Sequence, residues 1–237
     1  MSDESVSLKR PLVVALWSLL SAFGLLVALA MRAYPGGNWS ERTAAGHRFW
    51  ENYWCDLLGN PTVGGGANPS GSLLAALGMF CFGLGLLCHW WLLATLLPYR
   101  PRRWVRALGT LATLGFLVVV ALPSSSFPVL HGAAVLCAGP LGIAAAIIAA
   151  VVQARDRAQR PLSWLAFAVL LASATNLVFY AHAYATSTPA WHALPAVQKV
   201  ATALLVSWML AESALVWLRA GRTPGRLGGP GAKAPGP

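Results

Sequence analysis

The chain has 237 residues, of which 57% are hydrophobic and only 10% charged, against about 25% charged in an ordinary soluble domain. So few charges cannot cover a water-facing surface, which excludes a soluble globular domain. The formal net charge of +10 does not mark a nucleic-acid binder, because the basic residues fall in short clusters between apolar runs. No nucleic-acid partner is expected, and membrane lipids are.

Each apolar run is long enough to cross a hydrocarbon core of about 30 Å, which takes roughly 20 helical residues and far exceeds the ~9–11 of a barrel strand. The expected fold is all-α: a polytopic transmembrane helical bundle of six spans, with both termini cytoplasmic. Residues 1–11 form the cytoplasmic N-terminus, 12–220 the six-helix domain with an outer loop over 34–70, and 221–237 a Gly/Pro-rich, disordered cytoplasmic tail.

The first span is expected from Leu12 to Ala33, behind Lys9 and Arg10. Ala28-Leu29-Ala30 has the form of a signal-peptidase site, but the apolar stretch exceeds the ~7–15 residues of a signal core, so the span is expected to be retained. The long segment 34–70 follows. Its aromatic residues (Trp39, Phe49, Trp50, Tyr53, Trp54) argue for order, and residues His47–Leu58 are expected to form a short amphipathic helix at the interface. Asn38-Trp39-Ser40 is a glycosylation sequon. Gly64-Gly65-Gly66 is not a phosphate loop, since no Lys-Ser/Thr follows.

The second span, Gly71 to Leu97, ends before Pro98. Gly78, Cys81, Gly85 and Cys88 share one of its faces, a small-residue stripe that lets a neighbouring helix approach closely. Span three runs from Trp104 to Leu122. A tight turn, Pro123 to Phe127, leads into span four, Pro128 to Val152, where Pro140 predicts a kink. Span five covers Pro161 to Tyr184 and span six Pro195 to Leu218.

This register places 13 of the 17 basic residues on one side. They are Lys9, Arg10, Arg100, Arg102, Arg103, Arg106, Arg155, Arg157, Arg160, Arg219, Arg222, Arg226 and Lys233. Only Arg32, Arg42, Arg48 and Lys199 fall on the other. That asymmetry orients the chain with its termini inside. Tryptophans are expected to form two belts, Trp39, Trp50, Trp54 and Trp191 outside, and Trp90, Trp91, Trp104, Trp164 and Trp217 inside.

Three of the four cysteines (Cys81, Cys88, Cys137) lie in apolar runs, where a thiol behaves as a small hydrophobe; Cys55 is in the loop. With no CxxC or Cys/His spacing, neither a disulfide framework nor a cysteine metal site is expected.

Two constellations stand out. An outer pocket is expected from Trp50, Asn52, Tyr53, Asp56 and Asn68 of the loop, with His131, Asn176 and His182 from the ends of spans four and five. Tyr180 and Tyr184 share the helical face of Asn176. His131, His182 and a carboxylate could hold zinc and activate water. No HxxxH or HExxH pair puts two ligands on one helical face, however, so interfacial hydrogen bonding is the favoured role. No catalytic residue, metal or cofactor is assigned. The second constellation is His89 and Glu212, an intramembrane ionisable pair on spans two and six. An ionisable group at the bilayer centre costs about 2.5–3.5 kcal/mol on insertion scales, so both are expected to face the bundle interior. They pair with each other, serve a proton relay, or, as favoured, protonated Glu212 bonds a neighbouring helix or snorkels towards Arg219.

The stretch Phe49-Trp50-Glu51-Asn52-Tyr53-Trp54-Cys55-Asp56-Leu57-Leu58, with Asn68-Pro69 after it, resembles the FWxNYxxDLG…N loop of a bacterial family of uncharacterised six-span membrane proteins. That family looks related to the DRAM/Sfk/FGF-receptor-activating-protein superfamily. Pro123…His131 and Gln198-Lys199…Trp208 extend the resemblance over nearly the whole chain. It departs at Leu58, where the family has Gly, and at Ser124-Ser125-Ser126, where an acidic residue often stands. The resemblance implies a bacterial inner-membrane protein and, through relatives in lipid handling, a lipid-related role. The loop is also similar to that of ceramidase-like membrane hydrolases, whose seven spans and HxxxH pair are missing here. Three functions are therefore weighed. The first is a non-enzymatic lipid-binding or lipid-sensing protein. The second is a metal-dependent lipid hydrolase using His131, His182 and Asp56. The third is a small proton-coupled transporter using His89 and Glu212, for which no inverted repeat is evident.

Overall fold

The computed structural model describes residues 9–186 and 192–221. Six long helices carry the fold: α1 (Lys9–Ala33), α2 (Pro69–Ala94), α3 (Tyr99–Ala121), α4 (Pro128–Ala154), α5 (Arg160–Thr186) and α6 (Leu194–Gly221). All six are long and apolar enough to cross a membrane. Their outward faces carry bare apolar side chains such as Leu25, Leu73, Leu171 and Val178, each more than 60% exposed. Such coverage on every side would aggregate in water and suits hydrocarbon. The chain is a multi-pass helical membrane protein. The tail expected to be disordered and Trp191 lie outside the described residues, apart from Gly221, which ends α6.

The helix ends follow local chemistry. Pro69 and Pro128 begin α2 and α4 at positions where a missing N–H costs nothing. Pro98 stops α2, and Arg102 then caps it, its guanidinium donating to the carbonyls of Ala94 and Leu97 at 3.0–3.3 Å. Helix α4 runs unbroken through Pro140.

Sequential helices pack on one another, and α6 returns to α1, closing a ring in chain order; α2 also touches α6 across it. That cross-contact divides the bundle into an α1–α2–α6 wedge and a ring of α2, α3, α4, α5 and α6. Lipid tails are as apolar as leucine, so close approach rather than water exclusion holds such helices together. The small-residue stripe of α2 serves this on the wedge side. Gly78 packs on Phe23, Leu26 and Val27 of α1, and Gly85 on Leu16, Leu19 and Leu20. Trp17 of α1 donates to Ser213 Oγ of α6 at 2.8 Å.

Residues 34–68 fold over one end of the bundle, called here the loop end. Near the α1 exit, Gly37 (φ 89°) lies against Gly64, so close that a β-carbon at Gly37 would meet the Gly64 backbone at 2.3 Å. Only glycine lets the two limbs cross there.

The helix expected over His47–Leu58 is absent. Two separate turns take its place, one closed by the Arg48 carbonyl and one the 3₁₀ turn Trp54–Leu58. The cause is competition for backbone donors. Asn52 Oδ1 accepts from Arg48 N at 2.9 Å and Asp56 Oδ2 from Tyr53 N at 2.9 Å, which interrupts a continuous ladder.

Two tryptophans leave their expected belts for the interior. Trp90 is 4% exposed, and Trp54 is half-buried, bonded to α6. Trp39, Trp50, Trp91, Trp104 and Trp164 remain exposed.

Candidate functional site

The loop is pinned to the bundle from below by α6. Trp54 donates its backbone N–H to Gln198 Oε1 at 2.9 Å and its indole N–H to Thr202 Oγ1 at 3.1 Å. Lys199, buried although it is a lysine, donates to the Asn52 carbonyl and lies under the Trp54 and Phe49 rings, 4.8 and 5.6 Å from their centroids. A buried ammonium needs such partners. Its position answers why a cation stands on this side of the chain, away from the main basic clusters.

Asn52 is fully buried and ties three loop segments together. Its amide accepts from Arg48 N and donates to the Gly37 carbonyl at 2.8 Å and to Asp56 Oδ2 at 3.1 Å. Asn68 performs the same service at the α2 entry, donating to the Leu57 and Gly59 carbonyls. Asn38 is also buried. Its Oδ1 accepts from Ser40 N and Glu41 N and its Nδ2 donates to Glu51, so the sequon nitrogen is occupied within the fold.

Above this framework lies a cavity of about 480 Å³. Its walls come from the loop (Trp39, Ser40, Glu51, Tyr53, Cys55, Asp56), from Ser124, from His131 and Val135 of α4, from Asn176, Tyr180, Ala183 and Tyr184 of α5, and from His192, Pro195 and Gln198. Asp56 presents its carboxylate there while accepting from Trp39 Nε1 at 3.1 Å, Asn52 and Tyr53 N. Burial pushes its pKa up to about 6, against the opposing pull of those donors and of Lys199. Burial, with the Asp56 charge next, raises the Cys55 thiol to about 12 and also raises the Tyr53 phenol. Neither is an ionised nucleophile at neutral pH. His47, on the far side of Tyr34, is lowered to about 4 by burial and by Lys199. At the rim, Ser40 Oγ and His192 Nδ1 stand 3.2 Å apart, joining the loop to the start of α6.

A second cavity, of about 300 Å³, opens inside the five-helix ring. Every one of α2 to α6 contributes to its wall and α1 does not. The lining is apolar except for Cys55, Thr113, Ser173, Asn176, Gln198 and Thr202, and it ends at Trp90 and Trp208. Gly139 and Gly142 of α4 line it on either side of Pro140, Gly139 packed closely on Leu177. Gln198 and Trp208 are ten residues apart on α6, so the cavity reaches about 15 Å along the helix axis, half of a hydrocarbon core of about 30 Å. The two cavities share Cys55, Val135, Asn176 and Gln198.

Of the eight residues expected in the outer pocket, Tyr53, Asp56, His131 and Asn176 line the loop-end cavity. Asn52 and Asn68 are structural supports behind it. Trp50 is exposed and packs on Phe49, 4.8 Å between centroids. His182 is exposed and off the wall, because it sits two positions past Tyr180, about 200° around the helix. His131 Nδ1 is 2.7 Å from the Leu122 carbonyl. Among the described residues, no group of three His, Cys, Asp or Glu side chains could hold a metal ion. The trio His131, His182 and Asp56 does not converge.

His89 and Glu212 are fully buried, as their cost in lipid demands, but no hydrogen bond joins them. Trp208 stands between. Its ring meets His89 edge-on at 4.8 Å and its indole N–H donates to Glu212 Oε1 at 3.0 Å. Glu212 also accepts from Gln153 of α4 at 2.6 Å. Both His89 nitrogens, Glu212 Oε2 and Gln153 Oε1 lack partners.

No family model matches the chain, and no curated protein or solved structure does either.

Proposed function

We propose that this protein binds one membrane amphiphile, holding its polar head under the folded loop and its apolar chain inside the five-helix ring, as a non-enzymatic lipid-binding or lipid-sensing protein. The observation that carries the reading is that the two cavities adjoin, with Cys55, Val135, Asn176 and Gln198 lining both. A chamber with a carboxylate and several polar side chains on its wall, adjoining a more uniformly apolar one, matches a molecule with a head and a tail. Both volumes fall within or at the edge of the ~300–1,000 Å³ of ordinary ligand sites. The Asn176 amide makes no hydrogen bond with any described residue and stands where head meets tail, in reach of an ester or hydroxyl.

The loop end faces away from the cytoplasm in this reading. The basic clusters at Arg100–Arg106 and Arg155–Arg160, together with Lys9, Arg10 and Arg219, lie at the opposite end of the helices, and cytoplasmic ends collect such charges. A bacterial inner membrane and kinship with the six-span family that shares the Phe49–Asp56 pattern are part of the same proposal.

The test is photo-cross-linking with a fatty chain bearing a terminal diazirine. Labelled peptides containing Trp90 or Trp208 support the assignment of the tail. Labelling confined to the outward faces of α3 and α5, with none at those tryptophans, rejects it.

A further inference from the structure

The walls of the loop-end cavity say more about the head than that it is polar. Asp56 is the buried charge on that wall, 2% exposed. Its partners are the neutral donors Trp39, Asn52 and Tyr53 N. Three donors leave about one of a carboxylate's four lone-pair positions open. Glu51 is the other acid on the wall, and Arg48 at 3.1 Å offsets it from outside the cavity. Neither lysine nor arginine lines the space among the described residues. Lys199 is held below the loop by the Asn52 carbonyl and the faces of Trp54 and Phe49. An anionic head would therefore meet an acid on the wall, with Lys199, the cation that acts on Asp56, held off the wall behind the loop.

Four aromatic side chains stand on the same wall. Trp39 and Tyr53 come from the loop, Tyr180 and Tyr184 from successive turns of α5. A carboxylate among several electron-rich rings is the arrangement that favours an ammonium group, through charge and through cation–π attraction strengthened by desolvation. We infer that the amphiphile's head carries an ammonium group, seated between the Asp56 carboxylate and the rings of Trp39, Tyr53 and Tyr180. This rests on the two-cavity reading above and goes beyond it by naming the chemistry of the head. The ammonium could belong to a zwitterionic lipid headgroup or to a simple cationic amphiphile, and the probes below separate these sources.

The experiment uses the full chain in a non-ionic amphipol and isothermal titration with four twelve-carbon probes below their micellar concentrations. These are dodecyltrimethylammonium, dodecylphosphocholine, dodecyl phosphate and dodecyl maltoside. One or both ammonium probes are expected to bind about tenfold tighter than the maltoside, between what an exposed and a desolvated cation–π contact give, with the phosphate weakest. Preference for dodecylphosphocholine over dodecyltrimethylammonium assigns a zwitterionic lipid, and the reverse a cationic amphiphile. Asp56→Asn is expected to abolish the preference of the ammonium probes over the maltoside. Tyr180 makes no hydrogen bond with any described residue, so Tyr180→Leu supplies a second variant outside the loop network, expected to lose several-fold of ammonium affinity. Equal binding of all four probes, or preference for the phosphate, overturns the ammonium head and leaves the two-cavity reading standing. Absence of binding by every probe overturns both.

Discussion

Asn52 donates its side-chain N–H to the Asp56 carboxylate at 3.1 Å, while its backbone carbonyl accepts from Lys199. One buried residue thus joins the acid of the loop-end cavity to the helix that runs down beside the interior cavity. Removing the Asn52 side chain breaks the half of this link that reaches Asp56 and keeps the backbone carbonyl that holds Lys199.

Asn52→Ala leaves Arg48 N without its partner, the Gly37 carbonyl with the Tyr34 hydroxyl alone and Asp56 with one donor fewer. Stranding buried groups of this kind costs about 1–3 kcal/mol, so a lower thermal midpoint in detergent is expected. Limited proteolysis should open first within 34–68. Cleavage starting in the α3–α4 turn instead would place the weak point elsewhere.

Gly142 and Gly109 separate filling the cavity from breaking its wall. A β-carbon at Gly142 would meet only Ala112 at 3.6 Å, an ordinary contact. Gly142→Leu is therefore expected to fold, to fill the shaft and to lower the affinity of long-chain ligands. At Gly109 a β-carbon would stand 2.3 Å from the Trp90 ring. Gly109→Ala should destabilise by about 1–3 kcal/mol, the usual cost of overpacking. Thermal melts of the two variants side by side check the contrast.

Glu212 accepts from Gln153 and Trp208 through the same oxygen, Oε1. Glu212→Gln keeps an acceptor there and removes an ionisable group, so stability should change little. Glu212→Leu strands the Trp208 indole N–H and the Gln153 amide in a dry interior, and a loss of about 1–3 kcal/mol is expected. Retained ligand binding and loss of stability in Glu212→Leu alone would mark the cluster as structural. Proton uptake that disappears in Glu212→Gln would instead support the transporter reading.

The pH dependence of binding follows from Asp56. Burial raises its pKa from the ordinary carboxylate range to about 6. Its contribution to the ligand-free fold is therefore full below the ordinary value and lost as pH rises through about 6. A bound ammonium favours the ionised form, so binding should weaken as pH falls through about 6 and below. Glu51, His131 and His192 face the same space and Lys199 lies beneath it. Protonation of the histidines or of Glu51 acts in the same direction, so the difference between wild type and Asp56→Asn titrations isolates the Asp56 step. Ammonium binding that is flat from pH 5 to 8 would contradict the role given to Asp56.

The six spans were legible because length and apolarity suffice to mark a helix in lipid, and observed ends differ from the expected ones by only a few residues at most boundaries. The face of α2 that a neighbour approaches closely was legible too, since Gly78 and Gly85 recur on it and small residues signal close approach, but that the neighbour is α1 was not. The interior cavity was not. Its walls, Phe116, Val135, Ala138 and Leu177 among them, are as apolar as the lipid-facing surface, so no periodicity separates a shaft from the bilayer. Depth along the helix was readable for His182, but its rotation turned it away from the Asn176–Tyr180–Tyr184 face. The loop misled for a different reason. Asn52 and Asp56 suggested a helix by their neighbours, yet their side chains took the backbone donors that a helix needs. Trp39 and His192 complete the site from distant parts of the chain, and only the closed loop brings them together.

Native mass spectrometry of the full chain, extracted in a mild detergent, tests the central claim most directly. One retained lipid per chain is predicted in wild type, lost or exchanged for a shorter-chain species in Gly142→Leu of matching thermal stability. Wild type free of any lipid adduct, or an adduct unchanged in that variant, would contradict a tail seated between α2 and α6.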